Sequence, residues 1–206
     1  MPKGSPELTA SRKEEIVSAC ERLYQTMSFK EITIKEIGNV TSFTRTSIYN
    51  YFQTKEEIFL ALMQREYEEW SEEMRSLSEE NVIMSPEDFA DALARSLDEH
   101  RQLLKLLAMN HYDMEEDSRP ERLTEFKTAY RASLDSVRGC VTKFFPEIDS
   151  ERFIFVFFPF LFGVYPYTVT TEKQRKAMND AGMEFKVYSI YEIIYSCVIQ
   201  LLGGEK

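Results

Sequence analysis

Apolar residues recur along this chain at intervals of three and four. Ile16, Cys20, Leu23, Tyr24 and Met27 fall on one stripe of a helix whose other side is charged. Ile34, Ile37 and Val40 form a second, shorter stripe, and Ile48 with Phe52 a third. Phe59, Met63, Tyr67, Trp70, Met74 and Leu77 then run along one side of a much longer helix. No alternation of period two appears, so no strand is expected, and there is no repeat or low-complexity tract.

Polar residues mark where these helices begin. Ser11 with Glu14, Thr33 with Glu36 and Thr54 with Glu57 have the spacing of a capping box, in which hydroxyl and carboxylate satisfy free backbone amides. Helices are therefore predicted to start near 12, 34 and 55. The first ends near Met27, the second stops at Thr41-Ser42, and the third spans about 44–52. The fourth runs to about Leu77. Later helices are expected from Pro86, which follows the capping Ser85, then over 101–112 and 120–145, where Pro146 ends the last of these. An aromatic helix over 151–165 is expected to be capped by Ser150 and kinked near Pro159. A short polar helix over 171–181 and a final one over 183–202, before Gly203-Gly204, complete an all-α chain.

Two short helices joined by a tight turn, the second with polar residues at its open end, have the form of a helix-turn-helix. The chain is thus divided into a flexible tail (1–10), a three-helix DNA-binding module (11–54) and a helical domain for ligand binding and dimerisation (55–206). The helix from Lys55 links the last two.

With 43% apolar and 29% charged residues, and only seven glycines and seven prolines, the composition is that of a folded, helix-rich protein. The net charge of −10, taken alone, argues against a nucleic-acid partner. Its distribution removes the conflict: residues 1–60 hold eight basic and eight acidic side chains, so the whole excess lies beyond them. Between Arg22 and Lys55 five cations face only Glu31 and Glu36. Cys20, Cys140 and Cys197 are widely separated and odd in number, which suits a reducing cytoplasm better than a disulfide framework. The opening residues contain no apolar stretch of the signal-peptide kind. The uncharged run 153–171 is broken by Pro159, Gly163 and Pro166 and reads as a buried helix, so no membrane partner is expected.

Ile48 and Phe52, four apart, would hold the third helix to the core and leave Thr44, Arg45, Thr46 and Tyr49 free. Arg45 suits guanine O6 and N7, while Thr44, Thr46 and Ser47 suit a thymine methyl or a phosphate. Thr33, at a helix start, can add a phosphate contact backed by free amides. The stretch 29–62, with Tyr49-Asn50-Tyr51-Phe52 followed by Thr54-Lys55-Glu56-Glu57, resembles the DNA-binding domain of the tetracycline-repressor (TetR) family. That resemblance implies phosphate contacts for Tyr49, Tyr51 and Lys55, and places Asn50 among the DNA-binding residues. It also implies a regulator, in most cases a repressor, that binds a palindromic double-stranded operator as a homodimer. Ser42 stands where the family usually has a glycine in the turn.

In the last helix Tyr188, Tyr191, Tyr195, Val198 and Leu202 step by 3, 4, 3 and 4, the spacing of a bundle seam. Phe153, Phe157 and Leu161 form a matching row on the aromatic helix. By resemblance these two helices make the dimer interface. Met63, Tyr67, Trp70, Met74, His100, Leu103, Leu107, His111, Tyr130 and Tyr165 are the candidates for an effector pocket, its occupant a small, largely apolar or aromatic molecule of unknown identity.

Catalysis is not expected. The chain has two histidines, no Gly-rich phosphate loop, no nucleophile elbow and no ligand set spaced for a metal, so neither cofactor nor metal is called for. The alternative reading is a DNA-binding structural or interaction protein on the same fold, without an effector.

Overall fold

The computed structural model describes residues 5–109, 111–183 and 186–203, the side chains of His111 and Asp113 excepted. Among the described residues all regular structure is helical: α1 (Pro6–Tyr24), α2 (Ile34–Asn39), α3 (Arg45–Ile48), α4 (Lys55–Glu80), α5 (Pro86–Glu99), α6 (Arg101–Leu107), α7 (His111–Glu116), α8 (Pro120–Phe144), α9 (Ser150–Thr168), α10 (Glu172–Asp180) and α11 (Ile190–Leu201).

Several boundaries differ from the sequence reading, each for a local reason. α1 starts at Pro6, because Ser5 accepts a hydrogen bond from the Leu8 amide and the proline needs no donor at the first position. Half of the expected tail is therefore helical. Ser11 lies inside α1, and Glu14 is drawn to Arg65 and Ser18 instead. Thr33, Thr54 and Ser85 cap as expected, each accepting the amide three residues on, and Thr44, read as the first residue of the third helix, is instead its cap, accepting the Ser47 amide. Asp149, not Ser150, caps α9, its carboxylate accepting from the Arg152 amide. The α9 helix continues through Pro159 and Pro166 to Thr168. The expected helix over 101–112 is two, since α6 stops at Leu107 and α7 begins at His111. The final helix is shorter than expected: Ser189 and Glu192 form a capping box, and α11 starts at Ile190.

The chain divides into two compact units, residues 1–65 with 110–130, and residues 66–109 with 131–206. This differs from a single cut at 54/55, because 110–130 groups with the N-terminal helices. In the first unit Ile16, Cys20, Ile32, Ile37, Ile48, Phe52 and Phe59 are fully buried. Phe59 is the hub, meeting Tyr24 edge-on at 5.2 Å and Phe29 at 4.8 Å. Arg65 clamps α1 from outside, reaching Glu14 at 2.6 Å and Glu21 at 2.5 Å. Val40, expected to face inward, is 45% exposed because α2 has ended before it.

In the second unit α5 packs on α11, and α9 packs on both α6 and α11. Phe89, Leu93 and Leu97 from α5 share that core with Leu103, Leu106, Phe153, Phe157, Leu161, Ile194 and Val198. Trp70 is fully buried beside Phe158, with its indole N–H donated to Ser96 Oγ at 3.1 Å. A buried indole left without an acceptor would be costly, and Ser96 removes that cost. Among the described residues no single helix is long and apolar enough to cross a membrane.

Candidate nucleic-acid interface

The first unit presents a short helix at its surface. α3 has one regular α-helical turn after the Thr44 cap and closes through looser turns, with Tyr51 and Phe52 amides both donating to the Ile48 carbonyl. Ile48 and Phe52 are fully buried and seat it. Gly38 of α2 lets it sit close: a Cβ there would lie 3.4 Å from the Arg45 amide nitrogen. The turn between α2 and α3 is held by α1. Glu15 accepts the Ser42 amide at 2.7 Å, and Arg22 donates to the Val40 carbonyl at 3.3 Å. The Ser42 amide holds the Glu15 carboxyl below the usual range. A side chain at position 42 is thus accommodated by a turn tied down from its neighbour.

Thr44, Arg45, Thr46, Tyr49 and Asn50 are exposed, and Ser47 is half-buried with its hydroxyl 3.0 Å from that of Thr44. Arg45 lies against the Tyr49 ring, 5.8 Å from its centroid, and donates to the Tyr49 hydroxyl at 3.3 Å. Thr33 is exposed, and its hydroxyl serves as the α2 cap. Two of the expected phosphate contacts are otherwise engaged. Tyr51 is 6% exposed, packs on Phe43 and accepts from Arg12 at 3.1 Å. Lys55 donates to the Phe29 carbonyl at 2.8 Å and lies 4.0 Å from the Phe29 ring centroid. These contacts tie α3 and the start of α4 to their neighbours in the first unit. Arg12 and Glu15 escaped the sequence reading, and Arg22 entered it only as one cation of a local excess; the signal for all three was a charged edge of α1 opposite its apolar stripe.

The residues expected to line a pocket fall in both units. Met63 and Tyr130 belong to the first, and Tyr67, Trp70, Met74, His100, Leu103, Leu107 and Tyr165 to the second. The His111 side chain lies outside the described residues. Tyr67, Trp70, Met74, Leu103 and Leu107 are at most 1% exposed. His100, at the joint of α5 and α6, has Nε2 3.0 Å from Glu73 and Nδ1 3.9 Å from Glu66, while Gln102 donates to Glu66 at 2.9 Å. Two grooves of about 420 Å³ each open in the second unit. One is lined by Arg75, Ser78, Asp135 and Gly139, the other by Ile148, Arg152, Phe153 and Leu201, and neither includes any of those ten residues. Among the described residues no three His, Cys, Asp or Glu side chains are grouped to hold a metal ion.

The expected dimer seam is largely consumed inside the second unit. Phe153, Phe157, Leu161 and Val198 are at most 1% exposed and Leu202 8%. Tyr191 donates its hydroxyl to Asp91 at 2.7 Å and stacks on Tyr195. Only Tyr188 of that set stands well exposed. The apolar surface that α9 does leave open is a different face, with Phe155 79%, Tyr167 70% and Val156 40% exposed.

Comparison with known proteins is consistent over nearly the whole chain. Residues 16–62 match the family model described as bacterial regulatory proteins, tetR family, and residues 64–202 that of the tetracyclin repressor-like C-terminal domain. An uncharacterized HTH-type transcriptional regulator, YfiR of Bacillus subtilis (strain 168), is 26% identical over 97 residues, a match that spans about half of each chain at 47%. Among solved structures the fold is similar to the fatty acid degradation regulator FadR from Bacillus halodurans, with a TM-score of 0.61 at 18% identity, covering 100% of this chain and 99% of that one. FadR from Thermus thermophilus, a TetR-family repressor solved with lauroyl-CoA, gives 0.59 at 21% identity and coverage of 94% and 95%. FadR from Bacillus subtilis, solved with stearoyl-CoA, gives 0.56 at 19% identity and coverage of 94% and 99%.

Proposed function

The chain belongs to the TetR family of transcriptional regulators, and from that premise we propose that it is a repressor, working in the cytoplasm, that binds a palindromic operator as a homodimer and leaves it when an effector with a large apolar part binds. The observation that carries the DNA-reading part is the exposed row Thr44, Arg45, Thr46 and Tyr49 on a helix seated by Ile48 and Phe52. Arg45 keeps donors to spare for a guanine edge, and hydroxyls beside it suit thymine or phosphate. A short reading helix covers few base pairs, so two copies on half-sites about one turn apart, ~34–36 Å, are needed for a specific site.

The open face of α9 bearing Phe155, Val156 and Tyr167 is the surface for the second copy, in place of the buried Phe153, Phe157 and Leu161 row. For the effector, a long-chain acyl thioester of coenzyme A is the first class to test. What supports it is the likeness of fold to two regulators held with such molecules, together with the apolar, aromatic interior of the second unit.

The test is a titration of purified protein against duplexes selected from a random pool. A palindromic consensus, two chains per duplex, and release on adding stearoyl-CoA are expected. Sequence-blind binding that blankets DNA would favour the structural-protein reading instead. Specific binding untouched by acyl-CoA of any length would remove that effector class and leave the regulator.

A further inference from the structure

Glu57, in the first turn of α4, is fully buried. A carboxylate out of water must be met by donors, and Glu57 has four. One is the Gln53 amide at 2.8 Å, and the other three all come from Arg119, its amide at 3.1 Å, its Nε at 2.6 Å and its Nη2 at 2.8 Å. Burial opposes the charge, yet the Arg119 and backbone donors outweigh it and hold the carboxyl below its ordinary value.

The same Nη2 also donates to the Tyr51 carbonyl at 3.1 Å. Around it, the Thr54 hydroxyl, which caps Glu57, donates to the Asp117 carbonyl at 3.1 Å, and the Arg122 guanidinium lies 5.6 Å from the Phe52 ring centroid. Residues 117–122 therefore grip residues 51–57, the segment that runs from the end of the reading helix into α4. Arg119 lies in the part of the chain matched by the C-terminal domain model, yet it belongs to the same compact unit as the reading helix.

We propose that Arg119 is a positioning residue for operator recognition: from the junction of α7 and α8 it sets the seat of the reading helix, through the buried Glu57 carboxylate and the Tyr51 carbonyl. The proposal rests on the DNA-reading role of Thr44–Tyr49. A single helical turn cannot fix its own direction, because it has too few internal hydrogen bonds. Ile48 and Phe52 fix its depth, and the carbonyl at its trailing end is the atom through which its tilt is set. The planar guanidinium reaches carboxylate and carbonyl at once, which an ammonium on a flexible stem does not do in one geometry. The α7–α8 junction thereby has a direct purchase on DNA reading.

The experiment uses the full chain and a duplex selected by the wild type, with affinity for that duplex, affinity for a scrambled duplex and thermal melting all measured. Arg119→Lys keeps a cation beside Glu57 but loses the fork. It should remain folded with a melting temperature lowered by a few degrees, and bind the scrambled duplex within about twofold, yet lose about tenfold on the selected one. The double variant Glu57→Gln with Arg119→Met removes the buried charge altogether and should show the same selective loss. Selected-duplex affinity equal to wild type in either folded variant would overturn the proposal. Failure of both to fold would overturn it too, making the pair an element of stability alone. A wild type that selects no duplex would instead sink the DNA-reading assignment, before any variant is compared.

Discussion

Arg45 has five N–H donors, and the tyrosine hydroxyl beside it takes one of them at 3.3 Å, a long and exposed bond that DNA can replace cheaply. Arg45→Ala should therefore leave folding intact and cost about 1–3 kcal/mol at a single base position. A panel of operators with one base changed at a time reads this out, and discrimination equal to wild type at every position would remove the role. His100 makes a different residue-scale argument. The Glu66 carboxylate raises its pKa most, partial burial opposes, and Glu73 adds to the rise. A His whose folded pKa is raised gives stability that is fully present below its unfolded value, about 6.5, and fades as pH climbs through the folded one. The melting temperature of His100→Gln should thus fall below wild type by most near pH 6, with the gap closing toward pH 8. A gap constant across that window would show that the ring contributes packing and no charge.

Along the elements, α9 shows both what the sequence could tell and what it could not. Its existence was legible from a run of aromatic residues, but it is apolar nearly all round, so periodicity has no polar face from which to orient it. Phe157 is fully buried and Phe155 is 79% exposed, although the two side chains are identical. Phe157→Ala should cost about 3–5 kcal/mol in denaturant unfolding, the range for a large ring removed from a packed core. Phe155→Ala, read in dilute solution, should stay within about 0.5 kcal/mol of wild type. The reverse order would mean that the helix is rotated. Caps were legible where hydroxyl and carboxylate fell three apart, as at Thr33 and Thr54, but the same spacing at Ser11 misled because Ser5-Pro6 offered an earlier start. The short helix α3 was legible from one contiguous segment. Its supports were not: Glu15 lies 27 residues from Ser42 and Arg119 62 from Glu57, and no local pattern records such pairings.

For the whole molecule, the distribution of charge and of exposed apolar surface bears on the proposed pairing of two copies. The excess of acid lies entirely beyond residue 60, so the reading module approaches DNA without net repulsion of its own. Affinity for a palindrome then depends on tethering, since joining two modest half-site contacts makes the second an intramolecular event at millimolar effective concentration. Phe155, Val156 and Tyr167 form the largest apolar exposure on α9, and a charge placed there should be intolerable once a second copy covers it. The wild type is expected to sediment as a dimer at micromolar concentration and Phe155→Glu as a monomer, with unchanged helix content by circular dichroism. Its affinity for a full operator should fall about 100-fold or more, while its affinity for an isolated half-site stays near wild type. Helix content separates this from unfolding, and half-site binding separates it from damage to the reading helix. A Phe155→Glu protein that remains a dimer with full operator affinity would place the second copy on another surface, and the exposed ring on α9 would then need a different partner.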